Sequence, residues 1–250
     1  MNVDFHIHST NSDGSDTPEE IFKRAKEKNI KFISITDHDT LDGIKENKIL
    51  AKKYNINYIP GLEVSAYDYP NNRKCHIVGL YVEKGCDFLD NMIEKTSFLR
   101  HQTSVKQIMK LSELGYDIDF KEIIEERKSK VIFKQHIMKS LIKKGYAHNI
   151  YGEFYKKMFK NNGPLDIKIQ YPSHIEAIKA VKKSGGLPIL AHPTQYENLI
   201  DIKNMVNSGL AGIEWDYPSV SEEEKKIIAS VGEKYKLLLS SGSDYHGSLS

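Results

Sequence analysis

His6 and His8 stand two residues apart in Asp4-Phe5-His6-Ile7-His8, and Asp13 lies in the polar turn that follows. Residues two apart in a strand share a face, so both imidazoles point together. Two imidazoles and a carboxylate are ligands for a divalent ion. Alone, the pair reads equally well as two surface histidines near a terminus. The conjunction recurs along the chain. Thr36-Asp37-His38-Asp39 follows Phe32-Ile33-Ser34-Ile35, and Gly61-Leu62-Glu63 follows Tyr58-Ile59-Pro60. His76 sits in Cys75-His76-Ile77-Val78. His192 ends Leu187-Pro188-Ile189-Leu190-Ala191. Asp244 and His246 follow Leu237-Leu238-Leu239-Ser240. His6, His8, Asp13, His38, Glu63, His76, His192, Asp244 and His246 are too many for one tetrahedral ion and suit a cluster. The mixed set favours Zn, Mn or Fe over Mg alone.

The apolar runs imply the elements that position these groups. Thr17-Pro18-Glu19-Glu20 reads as a capping box with proline in the first turn, opening a helix that Asn29 ends. Strand 31–35, helix 41–54 and strand 57–59 follow. Residues 73–82 read as a longer strand carrying His76. From about 87 to 166 the periodicity is helical, with helices expected at 88–114, 120–126 and 133–144. Ser173-His174-Ile175-Glu176 opens another helix, and alternation resumes through strands 187–191, 211–215 and 237–241. Ligand candidates from both ends of the chain must meet. Parallel strands closing into a barrel achieve this, with functional residues at their C-terminal ends.

Composition sets bounds. The chain has 250 residues, 39% hydrophobic and 28% charged, with a formal net charge of +2. That supports one large core and does not predict a nucleic-acid coat. Cys75 and Cys86 lack zinc-finger spacing, and Cys75 should point away from His76 into the core. No apolar run reaches the ~18 residues of a membrane span. The start of the chain lacks the basic and apolar regions of a signal peptide. A reduced, cytoplasmic protein is expected.

His6-x-His8, Asp13, Thr36-Asp37-His38, Glu63, His76, Ala191-His192-Pro193 and Ser243-Asp244-x-His246 together resemble the PHP family, the polymerase and histidinol phosphatase metal-dependent phosphoesterases. The likeness runs from Asp4 to Gly247. Residues 115–120 and 212–219 resemble the branch acting on nucleoside 3′,5′-bisphosphates and on 5′ ends of short RNA. The resemblance implies a distorted (β/α)7 barrel, an α/β fold, formed by 1–86 and 167–250. Residues 87–166 would be a mainly helical insertion covering the active-site face. It implies two or three divalent ions: His6, His8, Glu63 and Asp244 on the first, Asp13, His38 and His246 on the second, and Glu63, His76 and His192 on the third.

The implied reaction is hydrolysis of a phosphomonoester. A water bridging the metals loses a proton and attacks phosphorus in line. Asp13, His38, Asp244 and His246 would serve catalysis as ligands, with Asp37 orienting a ligand. Lys134-Gln135-His136 aligns with an Arg-Pro-His run that the family branch uses on substrate phosphate. Lys134 lacks the guanidinium fork. Arg100, on the long insertion helix, could supply one, or could lie on a solvated helix face. Lys139, Lys143 and Lys144 could track a phosphate backbone, and Tyr67, Tyr69 and Tyr217 could stack a base, although packing or solvation explains each as well. His148 and His174 are expected at the surface. The expected partner is a small phosphorylated substrate, a nucleotide or short RNA end, with no membrane and no obligatory protein partner. A histidinol-phosphate phosphatase and a non-catalytic metal-binding module are the alternatives.

Overall fold

Short, largely buried runs build the strands of a computed structural model that describes residues 2–249. β1 (Val3–Ile7), β2 (Phe32–Ile35) and β3 (Asn57–Tyr58) form a parallel sheet in that order. β4 (Gly61–Asp68), β5 (Arg73–Leu80), β6 (Leu187–Leu190), β7 (Gly212–Asp216) and β8 (Leu238–Ser241) form a second sheet, again in sequence order. β5 runs antiparallel to both β4 and β6, while β6, β7 and β8 are parallel.

The described strands do not close into one continuous ladder, so the structure supports a mixed α/β fold and does not itself establish the expected distorted (β/α)7 barrel. The eight strands divide between two sheets that touch through isolated bridges, Ile7 with Tyr245 on one side and His38 with Glu63 on the other. β3 contributes only two residues, and the bridge to β4 comes instead from His38, past the end of β2. The architecture is a mixed α/β fold. Residues 61–68, to which the sequence reading assigns no element, are a full strand hairpinned to β5.

Helices α1 (Pro18–Glu27) and α2 (Ile44–Tyr54) connect the first three strands. Glu20 Oε2 accepts from the Thr17 backbone N–H at 2.7 Å and Thr17 Oγ1 accepts from Glu20 N–H at 3.3 Å, which is the expected capping box. Four helices occupy the insertion: α3 (Asp87–Glu113), α4 (Phe120–Glu126), α5 (Lys134–Lys143) and α6 (Glu153–Phe159). α6 has no polar side-chain cap and only one and a half turns of apolar pattern, so the sequence does not announce it. Then come α7 (His174–Lys183), α8 (Ile202–Ser208) and α9 (Glu222–Tyr235); Ser173 and Ser221 complete capping boxes on α7 and α9.

Two cores result. Leu62, Val64, Cys75, Ile77, Val181, Leu190 and Ile213 pack beneath the second sheet. Ile108, Leu111, Ile137, Met138, Leu141, Phe159 and Leu165 pack inside the insertion. Each such side chain, removed from water, contributes about 1.5–3 kcal/mol before entropy is charged against it. The insertion is held by its own apolar cluster, and its polar edge is left free to line a cavity.

Candidate metal centre

His6 and His8 lead off β1, and Asp13 follows in a turn that Gly14 closes; a Cβ there would lie 2.4 Å from the His8 carbonyl oxygen. His38 follows β2. Glu63 and His76 face each other diagonally across the β4–β5 hairpin, because Ser65 pairs with His76 and Glu63 with Val78. His192 follows β6, and Asp244 and His246 follow β8. Asp39, His192 and Asp244 hold positive φ angles of 52°, 25° and 47°. Non-glycine residues in this region carry strain, which clusters at functional sites.

All nine ligand candidates meet at one rim. His6 Nε2 and His8 Nε2 are 3.1 Å apart. Each lies 3.3 Å from Glu63 Oε2, and they lie 3.5 and 3.4 Å from Asp244 Oδ1. Tetrahedral ligands at a 2.0–2.1 Å metal–nitrogen distance stand roughly 3.3 Å apart. These four atoms therefore outline a cage of the right size for one ion.

A second group gathers around Asp13, which lies 3.7 Å from His8 Nδ1, 3.9 Å from His38 Nε2 and 3.5 Å from His246 Nε2. A third gathers around Glu63, which lies 3.1 Å from His38 Nδ1, 3.0 Å from His76 Nδ1 and 3.1 Å from His192 Nε2. His8 and His38 thus each span two groups, a sharing that the implied division did not include. His8 Nδ1, Asp13 Oδ1 and His192 Nδ1 are buried without a hydrogen-bond partner. Buried polar atoms normally have partners. The donor set, the spacing and these orphaned atoms all fit divalent cations.

The electrostatics fit as well. Burial opposes charge on His6 and His8, but the surrounding carboxylates outweigh it. His6 is raised well above the usual imidazole value and His8 to about 10. Burial holds His38 well below the usual range. Burial would raise Asp13 and Glu63, yet the histidines around them hold both well below the usual carboxylate range. In the metal-free protein the cluster therefore keeps protons where cations would otherwise sit.

Buried neighbours steady the ligands. Glu214 Oε1 lies 2.7 Å from His6 Nδ1, and its Oε2 accepts from the His192 backbone N–H at 2.6 Å. Asp37 accepts from Ser9 N–H, Ser9 Oγ and Ser12 Oγ, all at 2.7 Å, so its carboxylate is spent on the turn leading to Asp13. Asp39 accepts from Ser65 N–H at 2.9 Å and from Arg100 Nη2 at 2.7 Å. Asp4 accepts from Ser243 N–H at 2.9 Å, next to Asp244.

The rim opens into a cavity of about 720 Å³ between the sheets and the insertion. Arg100, Lys74, Lys134 and Lys160 line it together with Asp13, Glu63 and Asp244. Arg100 is not on a solvated helix face: its side chain is 13% exposed and ion-paired to Asp39. Burial, then the neighbouring cations, lowers Lys134 to about 8. Gln135 also lines the cavity. His136 does not; its Nδ1 accepts the Phe133 N–H at 3.0 Å, capping α5.

Other expectations are placed differently. His174, expected at the surface, is 2% exposed, with Nε2 2.6 Å from Asp201 Oδ2 and Asp68 close by. As the first residue of α7 its ring turns inward, which spacing alone does not reveal. Lys143 pairs with Glu122 and Glu126, and Lys144 with Asp117, so that face of α5 is neutralised. Tyr67 and Tyr69 pack on one another, and neither lines the cavity, whereas Tyr217 does. The sequence reading missed Lys74, Lys160, Tyr151 and Glu214 as members of the site. Glu214 entered only within residues 212–219, whose likeness to the family branch gave it no role of its own.

An α/β scaffold presenting a buried histidine–carboxylate cluster at the floor of a cationic cavity defines a metal-dependent hydrolase of phosphate esters. The PHP domain model matches residues 4–189, and the chain belongs to the PHP family. It is 37% identical to a phosphoribosyl 1,2-cyclic phosphate 1,2-diphosphodiesterase of Eggerthella lenta, over 99% of this chain and 95% of that one. It is 28% identical to a 5′-3′ exoribonuclease of Haemophilus influenzae, over 97% and 89%. It is 27% identical to a 3′,5′-nucleoside bisphosphate phosphatase of Chromobacterium violaceum, over 98% and 87%. Among solved structures, one from Bifidobacterium adolescentis superposes with a TM-score of 0.91 at 23% identity, covering 99% of this chain and 88% of that one. Among the described residues, no helix is long and apolar enough to cross a membrane.

Proposed function

We propose that the chain hydrolyses a phosphate ester of a ribose unit that carries a second phosphate group. One observation carries this reading. A single cavity has the histidine–carboxylate cluster at one end and Arg100, Lys74, Lys134 and Lys160 in its wall. The cluster suits the scissile phosphate and the cations suit the other. A volume of about 720 Å³ admits a nucleotide-sized molecule.

The nine candidates His6, His8, Asp13, His38, Glu63, His76, His192, Asp244 and His246 would hold two or three divalent ions, Mn, Zn or Fe. Bound there, such ions supply Lewis-acid stabilisation of the phosphoryl oxygens and lower the pKa of water. The residues do the rest. Glu214 fixes the His6 tautomer, with Nδ1–H toward Glu214 and Nε2 toward the cage. Asp37 holds the Asp13 turn. Arg100 and Lys134 bind and orient the second phosphate, so that the first lies over the cluster. Residues 1–86 and 167–250 form the catalytic body, and 87–166 form a cap over it. Unpaired Cys75 and Cys86 support a cytoplasmic location.

Nucleoside 3′,5′-bisphosphates, and 5′ ends of short RNA, are the substrates read from sequence. A second reading, phosphoribosyl 1,2-cyclic phosphate, is favoured by the higher identity of the Eggerthella lenta relative. Both place two phosphates on one ribose. The test is hydrolysis with Mn²⁺, read as phosphate release from adenosine 3′,5′-bisphosphate and histidinol phosphate and as opening of the cyclic diester by ³¹P NMR for phosphoribosyl 1,2-cyclic phosphate, with a chelated control. Metal-dependent hydrolysis of either ribose compound, and not of histidinol phosphate, is expected. Preference for histidinol phosphate would overturn the proposal. Bound metal without turnover on any ester would favour a non-catalytic module.

A further inference from the structure

Gln135 and Tyr151 belong to the insertion, yet they reach the metal centre. Gln135 Nε2 donates to Asp13 Oδ2 at 2.8 Å and to the Tyr151 hydroxyl at 3.0 Å. The orientation of that amide is settled by chemistry. Its nitrogen faces the Asp13 carboxylate, whose oxygens also lie among the nitrogens of His8, His38 and His246, so Asp13 is the accepting partner. An amide nitrogen has two hydrogens, and these contacts use both. The Tyr151 oxygen is therefore an acceptor, and its own hydrogen must point elsewhere. Among the described residues, Gln135 is the hydroxyl's hydrogen-bond partner and no acceptor is paired with it. Tyr151 lines the cavity.

We propose that Tyr151 donates a hydrogen bond to a phosphoryl oxygen of the substrate held between Asp13 and Asp244, and that Gln135 is the positioning residue that aims it. The inference rests on the phosphoesterase reading above and adds a donor from the insertion to it. It also assigns a role to Gln135, whose amide links the Asp13 carboxylate to the Tyr151 hydroxyl.

The test uses the full chain loaded with Mn²⁺. Inorganic phosphate is titrated calorimetrically into wild type, Y151F, Q135L and the double variant; kcat/KM on the better ribose ester, bound metal per chain and Tm are measured alongside. Loss of one hydrogen bond to a charged oxygen predicts phosphate binding weakened about tenfold or more in Y151F, with kcat/KM down about tenfold to a hundredfold. Metal content and Tm should match wild type. Q135L should move both readouts the same way, and the double variant should be no worse than Y151F, since the amide acts through the hydroxyl. Unchanged phosphate affinity in Y151F overturns the contact. Full additivity of the two substitutions overturns the aiming role. A wild type that binds phosphate but turns over no ester defeats the functional reading alone, because the binding comparison still decides Tyr151.

Discussion

Replacing Glu214 with glutamine changes one atom pair and tests the whole support of the metal cage. Glu214 is 1% exposed and accepts from two donors, the His6 ring at 2.7 Å and the His192 backbone at 2.6 Å. Glutamine keeps the shape but only one acceptor oxygen. Its NH₂ must then face either His6 Nδ1–H or His192 N–H, donor against donor. One hydrogen bond to a charged acceptor is lost, about 1.5–3 kcal/mol, and a buried donor is stranded. His6 relieves the clash by rotating or by moving its proton to Nε2, the atom aimed at the cage. The expected loss is 10–100-fold in affinity for the ion at His6, about 1.4–2.7 kcal/mol. Chelator competition with Mn²⁺ or Zn²⁺ measures it directly. The metal-free protein gives a second readout with a definite sign. Burial disfavours charge on His6, but Glu214 leads the carboxylates that raise its pKa. Stability from that protonation is fully present below the unfolded value of about 6.5 and is lost as pH rises through the folded one. The substitution should therefore cost the metal-free protein more at acidic than at alkaline pH. Metal affinity within twofold of wild type, in a protein whose H6A variant does lose metal, would refute the reasoning.

Gly242→Ala should act on the same contact from the other side. Its Cβ would lie 2.3 Å from His6 Cβ and 3.0 Å from Glu214 Oε1, so metal content per chain should fall. Arg100→Ala leaves buried Asp39 without its cation, a cost of about 3–5 kcal/mol. Thermal unfolding should show Tm down by roughly 6–20 °C, with part recovered when Asp39→Asn is added. Lys134, lowered to about 8 mainly by burial, is charged below that pH and neutral above it. KM for a doubly phosphorylated substrate should rise as pH passes through about 8, and Lys134→Arg should flatten that rise. His38→Ala and Asp244→Ala should each abolish turnover while far-UV circular dichroism stays that of the wild type; full activity in either would remove that residue from the centre.

Why the site was more legible than the fold follows from where its residues stand. His6, His8, His38, His192 and Asp244 each announce themselves as a polar residue ending an apolar run, a local signal. Arg100, Glu214 and His174 do not. Each is a charged or titratable residue whose burial depends on a partner far along the chain: Asp39, His6 and Asp201 respectively. A helical wheel places Arg100 on a polar face, and only the docking of α3 over the Asp39 loop turns that face inward.

The hairpin is the sharper case. The barrel rule puts functional residues at the C-terminal ends of parallel strands, yet Glu63 and His76 sit within two antiparallel strands. They reach the same rim because the hairpin is longer than its neighbours. Glu63 is level with His38, just past the end of β2, and the His76 carbonyl accepts from Ala191 N–H, just past the end of β6. Eight-residue strands beside four-residue ones overshoot by about a turn of pleat, and the overshoot carries Glu63 and His76 to where parallel strands would have placed them. Strand direction is therefore not what the cluster constrains; height along the sheet is. Strand exchange that kept Glu63 and His76 at that height would leave the centre intact, whereas one residue of slippage between β4 and β5 would turn one of them to the opposite face and dismantle the Glu63 group.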